Sequence, residues 1–159
     1  MSNDGENIHA TAIVAGTTGL LFIGPSGSGK SALAFSCIAE AASLGLFSAL
    51  IADDRVVLSA YGAHLLARCP QSIVGLIELR YGGIAKVESL PAALVHVAVL
   101  PVASGATDRL PPENERFSTS SGRELPIVRV PVGIARPFAF IMALISSQAA
   151  DDPIEISTF

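Results

Sequence analysis

The residues best able to do chemistry in this chain form one unbroken stretch, Gly24-Pro25-Ser26-Gly27-Ser28-Gly29-Lys30-Ser31, which fits G-x-x-x-x-G-K-[ST] at every defined position. Its glycines free the backbone to turn N–H groups inward, making a concave, electropositive cradle for phosphate oxygens. Lys30 would reach the β- and γ-phosphates of a nucleoside triphosphate, and the Ser31 hydroxyl would ligate Mg²⁺. A second group, Asp53-Asp54, closes the apolar run 48–52. Two adjacent carboxylates such as Asp53 and Asp54 have separable jobs there: one can hold the water shell of the ion, and the other can take a proton from an attacking hydroxyl. Capping the next turn is the plainer use of such a pair. Glu78 and Arg80 share one face if their segment is extended. A charged pair inside an apolar, glycine-bounded run either pairs with itself or lets Glu78 contact Mg²⁺, directly or in its second sphere. Of the histidines, His9 beside a strand reads by itself as structural or exposed, His64 as a surface residue and His96 as satisfied in the core.

These groups need elements to carry them. The apolar run 19–23 is a buried strand entering the loop, and 30 to about 43 is an Ala/Leu-rich helix stopped near Gly45. Residues 8–14 and 19–23 read as a hairpin joined at 15–18, and 48–52 as a strand that delivers Asp53-Asp54 to the carboxyl edge of a sheet, where α/β folds bind ligands. Two short strands flank Gly62. Residues 94–100 form an interior strand, 102–124 a long mobile loop, 127–132 a further strand and 138–147 a short apolar helix. The fold class is α/β, a mixed sheet with flanking helices around the phosphate-loop strand. Residues 1–159 make a single domain with its core at about 8–147 and a frayed tail at 148–159.

Composition narrows the classes further. Half of the 159 residues are apolar and 15% are charged, which suits a sheet buried on both faces and leaves apolar surface for self-association. The formal charge is −4 and the ten cations are scattered, so nucleic acid is not an expected partner. No run approaches the roughly 18 apolar residues of a membrane span. The polar, acidic start Met1–Asn7 is not a secretory signal, and the cytoplasm is the expected location. Cys37 and Cys69 have no motif spacing and read as reduced, buried small apolar residues.

Taken together, Ile8-His9, the loop 24–31, Leu50-Ile51-Ala52-Asp53-Asp54-Arg55-Val56, Gly75-Leu76-Ile77-Glu78-Leu79-Arg80, Asp108-Arg109-Leu110 and Val130-Pro131-Val132 resemble the catalytic domain of bacterial HPr kinase/phosphorylase, over about residues 8–145. That family phosphorylates a serine of the phosphocarrier protein HPr. The resemblance implies the phosphoenolpyruvate carboxykinase-like core of the family, ATP and Mg²⁺ as cofactors, HPr or an HPr-like paralogue as partner, and a homohexamer. It makes Asp54 the proton acceptor of the HPr serine and the donor in the reverse reaction, Ser31 and Glu78 the Mg²⁺ ligands, and Lys30 the phosphate contact. It also brings His9 and Arg109 into the active site and makes 77–86 the signature segment. In other phosphoryl-transfer enzymes a suitably placed arginine is worth on the order of 10³–10⁵ in rate.

The chain departs from the family in three places. It has no room for an additional N-terminal domain, and so resembles a minimal, catalytic-domain-only form. Where the family loop that supports dephosphorylation reads Val-Arg-Pro-Gly-Arg-Asn, this chain has Val132-Gly133-Ile134-Ala135-Arg136-Pro137, keeping only Val132 and Arg136. That bears on phosphorolysis rather than on the kinase reaction. Tyr81 replaces the glycine of the Glu-x-Arg-Gly signature, and tyrosine does not easily adopt positive φ. The C-terminal helix that contacts HPr in the family is expected to be shortened. Two other functions share the phosphate loop and the carboxylate strand: a small-metabolite kinase, and a nucleotide-binding regulator without catalysis.

Overall fold

The structure, a computed structural model, describes residues 5–103, 105 and 110–151, with side chains through 148. A six-stranded mixed sheet forms its middle layer. Its strands are β2 (Thr11–Ala15), β3 (Thr18–Phe22), β4 (Ser48–Ala52), β10 (Val97–Val102), β11 (Arg116–Ser118) and β12 (Glu124–Pro131), in the order β11-β12-β10-β3-β2-β4. One face carries α1 (Lys30–Ser43) and α2 (Pro137–Asp151), together with the hairpin of β7 (Leu76–Leu79) and β8 (Gly83–Lys86). The other face carries a four-stranded sheet of β1 (Glu6–His9), β5 (Arg55–Tyr61), β6 (His64–Arg68) and β9 (Ala92–Val95). The middle sheet is thus buried on both faces, but the helices flank only one of them.

Period-two alternation sorts the side chains between the two cores. Ile13, Leu20, Phe22, Val97 and Val99 point toward Leu33, Cys37 and Ile141 on the helices. Their neighbours Ala12, Leu21 and Ala98 point the other way, toward Val56, Leu58 and Leu65. Cys37 is fully buried, and burial, then nearby Glu40, pushes its thiol up to about 12; Cys69, expected to be buried, is only half-buried. No described helix is long and apolar enough to cross a membrane.

Strand directions decide where the chemistry can sit. β10 is parallel to β3 and to β12, while β2 runs antiparallel to both β3 and β4. So β3, β4, β10 and β12 all point one way. The carboxyl ends of β3 and β4, followed by the loop 24–29 and by Asp53-Asp54, meet at one edge. The start of β2 between them lies at that same edge.

The chain passes from one sheet to the other at three points, and two of these lie side by side. The expected hairpin strand 8–14 breaks at Ala10, leaving β1 in the outer sheet and β2 in the middle one. The strand from 48 breaks at Asp53-Asp54 between β4 and β5. Pairing of Ala12 with Ala52, of His9 with Arg55, and of the Ala10 N–H with the Asp54 carbonyl at 3.2 Å locks the two breaks together. The third break divides the expected strand 94–100 at His96. His96 is not a core residue as expected: the residue is exposed, and only the Nδ1 side of its ring is part-buried, where it accepts the Gly19 N–H at 2.9 Å. Gly19 is needed there because a Cβ would collide with the Leu94 carbonyl.

Three further expectations change. The long segment 102–124 contains a strand, β11, paired with β12. The helix expected to end near 147 continues to Asp151, so the tail is helical for at least its first residues. Tyr81 does adopt positive φ, at 67°.

Candidate active site

The phosphate loop leaves β3 and returns as the first turn of α1. Gly27 and Gly29 have φ of 78° and 99°, left-handed conformations open to glycine at little cost, and Gly29 serves as N-cap with no side chain contributing a capping bond. The first N–H groups of α1 are thereby free to face an anion. Ser28 Oγ is buried without a hydrogen-bond partner among the described residues, an orphan that a phosphate oxygen would satisfy. The Lys30 ammonium folds back onto the loop, donating to the Gly24 and Pro25 carbonyls at 2.8 Å each. Burial lowers the Lys30 pKa from the ordinary lysine value, and Asp54 and then Asp53 act against that shift.

The two aspartates divide sharply. Asp53 is buried, and its oxygens are occupied: Oδ1 accepts the Thr11 hydroxyl at 2.8 Å and the Ser31 hydroxyl at 2.6 Å, and Oδ2 accepts the Glu78 backbone N–H at 2.8 Å. Because the Ser31 proton goes to Asp53, the lone pairs of Ser31 Oγ are left for a cation. Asp54 is 65% exposed, sits at φ 74°, and meets His9 Nδ1 at 2.9 Å. A carboxylate only accepts, so Nδ1 carries the proton in this pair.

His9, Thr11, Ser26, Gly27, Gly29, Lys30, Ser31, Asp53, Asp54, Glu78 and Arg80 line one cleft of about 340 Å³. The structure therefore brings together most of the residues singled out in the sequence. Glu78 and Arg80 do not pair with each other; Arg80 Nη1 instead donates to the Gly27 carbonyl at 3.4 Å. Arg136 is exposed just before α2 and does not line the cleft, and Arg109 lies outside the described residues. Thr11 was not legible as a site residue, since a threonine in a β-rich run is ordinary and only its complete burial against Asp53 marks it.

The cleft carries three carboxylates against the two fixed cations Lys30 and Arg80. A polyphosphate entering it needs added positive charge. Among the described residues no three His, Cys, Asp or Glu side chains are grouped to hold a metal by themselves. One hydroxyl with one or two carboxylates, completed by water and phosphate oxygens, is the donor set that suits Mg²⁺.

A phosphate loop feeding a helix, with a carboxylate pair at the end of a strand two places away in the same mixed sheet, defines a phosphate-loop α/β protein of the phosphotransferase type. Within that class the family described as HPr Serine kinase C-terminal domain matches residues 3–154, and the chain belongs to it. Its fold is similar to that of the Hpr(Ser) kinase/phosphatase from Coxiella burnetii, with a TM-score of 0.71 and 23% identity over 92% of this chain and 97% of that one. A search of curated proteins found no match.

Proposed function

We propose that this chain is a Mg²⁺- and ATP-dependent protein serine kinase acting on HPr or an HPr-like phosphocarrier. The observation that carries the reading is the position of Asp54. It stands exposed at the mouth of a cleft whose floor is the phosphate loop, oriented by His9 and free of the bonds that occupy Asp53.

In this reading the loop N–H groups, Ser28 and Lys30 hold the triphosphate, with Lys30 leaving its carbonyl partners for phosphate oxygens. Ser31, oriented by Asp53, and Glu78 hold Mg²⁺, which when bound offsets charge on the transferring phosphoryl group. Asp53 contributes to that site mainly by fixing Ser31. Asp54 accepts the serine proton as the acceptor oxygen attacks the γ-phosphorus and ADP departs. His9 holds the Asp54 carboxylate toward the acceptor, and Arg109 contributes positive charge. Positioning and electrostatics supply most of the acceleration. Run in reverse, inorganic phosphate would attack phosphoserine and leave as pyrophosphate; the departure at Gly133-Ile134-Ala135 bears on that direction alone. Exposed Leu44, Phe47 and Leu110 are compatible with a homohexamer, to be checked by sedimentation.

The direct test incubates the protein with Mg²⁺-ATP and HPr from its own organism, with a Ser→Ala HPr control and a panel of small hydroxyl substrates. The reading expects HPr to gain the mass of one phosphate, and the control to gain none. Phosphorylation of a small metabolite instead, or ATP binding with no transfer to anything, would overturn it in favour of a metabolite kinase or a regulator.

A further inference from the structure

Tyr81 stands where its backbone does not favour it and where nothing buries it. It is the third residue of a turn closed by the Gly82 N–H on the Leu79 carbonyl at 2.8 Å, and its φ is 67°. A turn with a left-handed third residue selects glycine or asparagine. Burial does not offset the cost, since the side chain is 99% exposed. Its ring has one described cationic neighbour: the Arg80 guanidinium carbon lies 5.6 Å from the ring centroid, within cation–π range.

Arg80 is the one side chain of the β7–β8 hairpin described as bonded to the phosphate loop, through Nη1 to the Gly27 carbonyl. Both ends of that contact are soft. Gly27 sits in a glycine-rich turn, and an exposed arginine loses much rotamer freedom when it is held. A ring that limits those rotamers in advance lowers that loss.

We propose that Tyr81 is a positioning residue, whose ring holds the Arg80 guanidinium over the phosphate loop so that the loop keeps the shape that receives a triphosphate. This deepens the kinase reading and rests on it for its kinetic consequence. The contact itself exists in the nucleotide-free protein. Because it acts on the loop before substrate arrives, its loss weakens ground-state and transition-state binding alike, which raises KM and leaves kcat. Exposed cation–π pairs set the size at roughly two- to fivefold.

The test compares Tyr81→Phe, Tyr81→Leu, Tyr81→Gly and Arg80→Ala in the full chain. In the free protein, the Gly27 and Ser28 amide resonances should shift in Tyr81→Leu toward their positions in Arg80→Ala, and stay near wild type in Tyr81→Phe. The KM for Mg²⁺-ATP should rise roughly two- to fivefold in Tyr81→Leu with kcat within about twofold, and Tyr81→Phe should restore it. Tyr81→Gly should raise the melting temperature by relieving the backbone while raising KM, opposite movements that a purely structural residue would not give. Unmoved Gly27 resonances in Tyr81→Leu, or a Tyr81→Phe variant as impaired as Tyr81→Leu, would overturn the proposal. If no acceptor is phosphorylated the kinase reading fails, but the resonances still decide whether Tyr81 holds Arg80.

Discussion

Two of the three places where the chain crosses between sheets carry a histidine, and they behave in opposite ways. At the carboxyl edge, His9 and Asp54 meet across paired strand breaks, both exposed, with Asp54 in a left-handed conformation. At the opposite edge, His96 is closed on Gly19 from both sides: its N–H donates to the Gly19 carbonyl, and its Nδ1 accepts the Gly19 N–H, each at 2.9 Å. The first break keeps polar groups available and accepts backbone strain; the second spends them on holding two strands together. A strand break between sheets is therefore a place where side chains can be presented to a ligand. Whether it becomes a site depends on which sheet edge it occupies and whether its side chains are already committed to the backbone.

Breaking the carboxyl-edge side should have the larger consequences. Lys30→Ala removes the cation that the loop holds ready, and should lower both ATP affinity and turnover, by on the order of 10²–10³ in kcat, as for loss of one charge-stabilising donor. Steady-state kinetics with a calorimetric ATP titration would check it, and unaffected values would remove the loop from the mechanism. Thr11→Val leaves Asp53 one donor short while keeping the shape, and should cost about 1.5–3 kcal/mol by thermal melting. It should also weaken the Mg²⁺ dependence, because Asp53 then holds Ser31 less firmly.

The opposite edge should respond in stability alone. His96→Leu strands the Gly19 N–H and should cost about 1 kcal/mol, with kcat and KM unchanged. It should also alter the pH profile. Burial, and then the nearby His64, hold the His96 imidazole below its usual value of 6.5. A folded value below the unfolded one means its contribution is complete above about 6.5 and is lost as pH falls through the folded value. Melting temperatures between pH 7.5 and 5 should therefore fall less steeply in His96→Leu than in wild type.

The contrast between the two edges also explains what could be read from the chain beforehand. The loop, the helix 30–43 and the strand 48–52 were legible because glycine spacing, helical periodicity and a terminal carboxylate pair are local signals. The breaks at Ala10 and His96 were not, since an apolar run looks the same whether it stays in one sheet or changes sheets, and the partners that force the change are distant in sequence. The local pattern therefore places His96 in the core and gives Thr11 no distinguishing mark. α2 outran its expected end because Gln148-Ala149-Ala150 continue as good helix formers with no glycine or proline to stop them until Pro153. Tyr81 defied its backbone preference because a two-stranded hairpin needs the turn whatever residue stands there.

The most direct measurement is single-turnover phosphoryl transfer from preloaded Mg²⁺-ATP to HPr, run side by side on Asp54→Asn and His96→Leu with ATP affinity measured on both. The account predicts wild-type ATP affinity in each, a loss of on the order of 10²–10⁴ in rate for Asp54→Asn, and a wild-type rate for His96→Leu. Near-normal transfer by Asp54→Asn, or an equal loss in His96→Leu, would contradict the placement of the chemistry at the carboxyl edge.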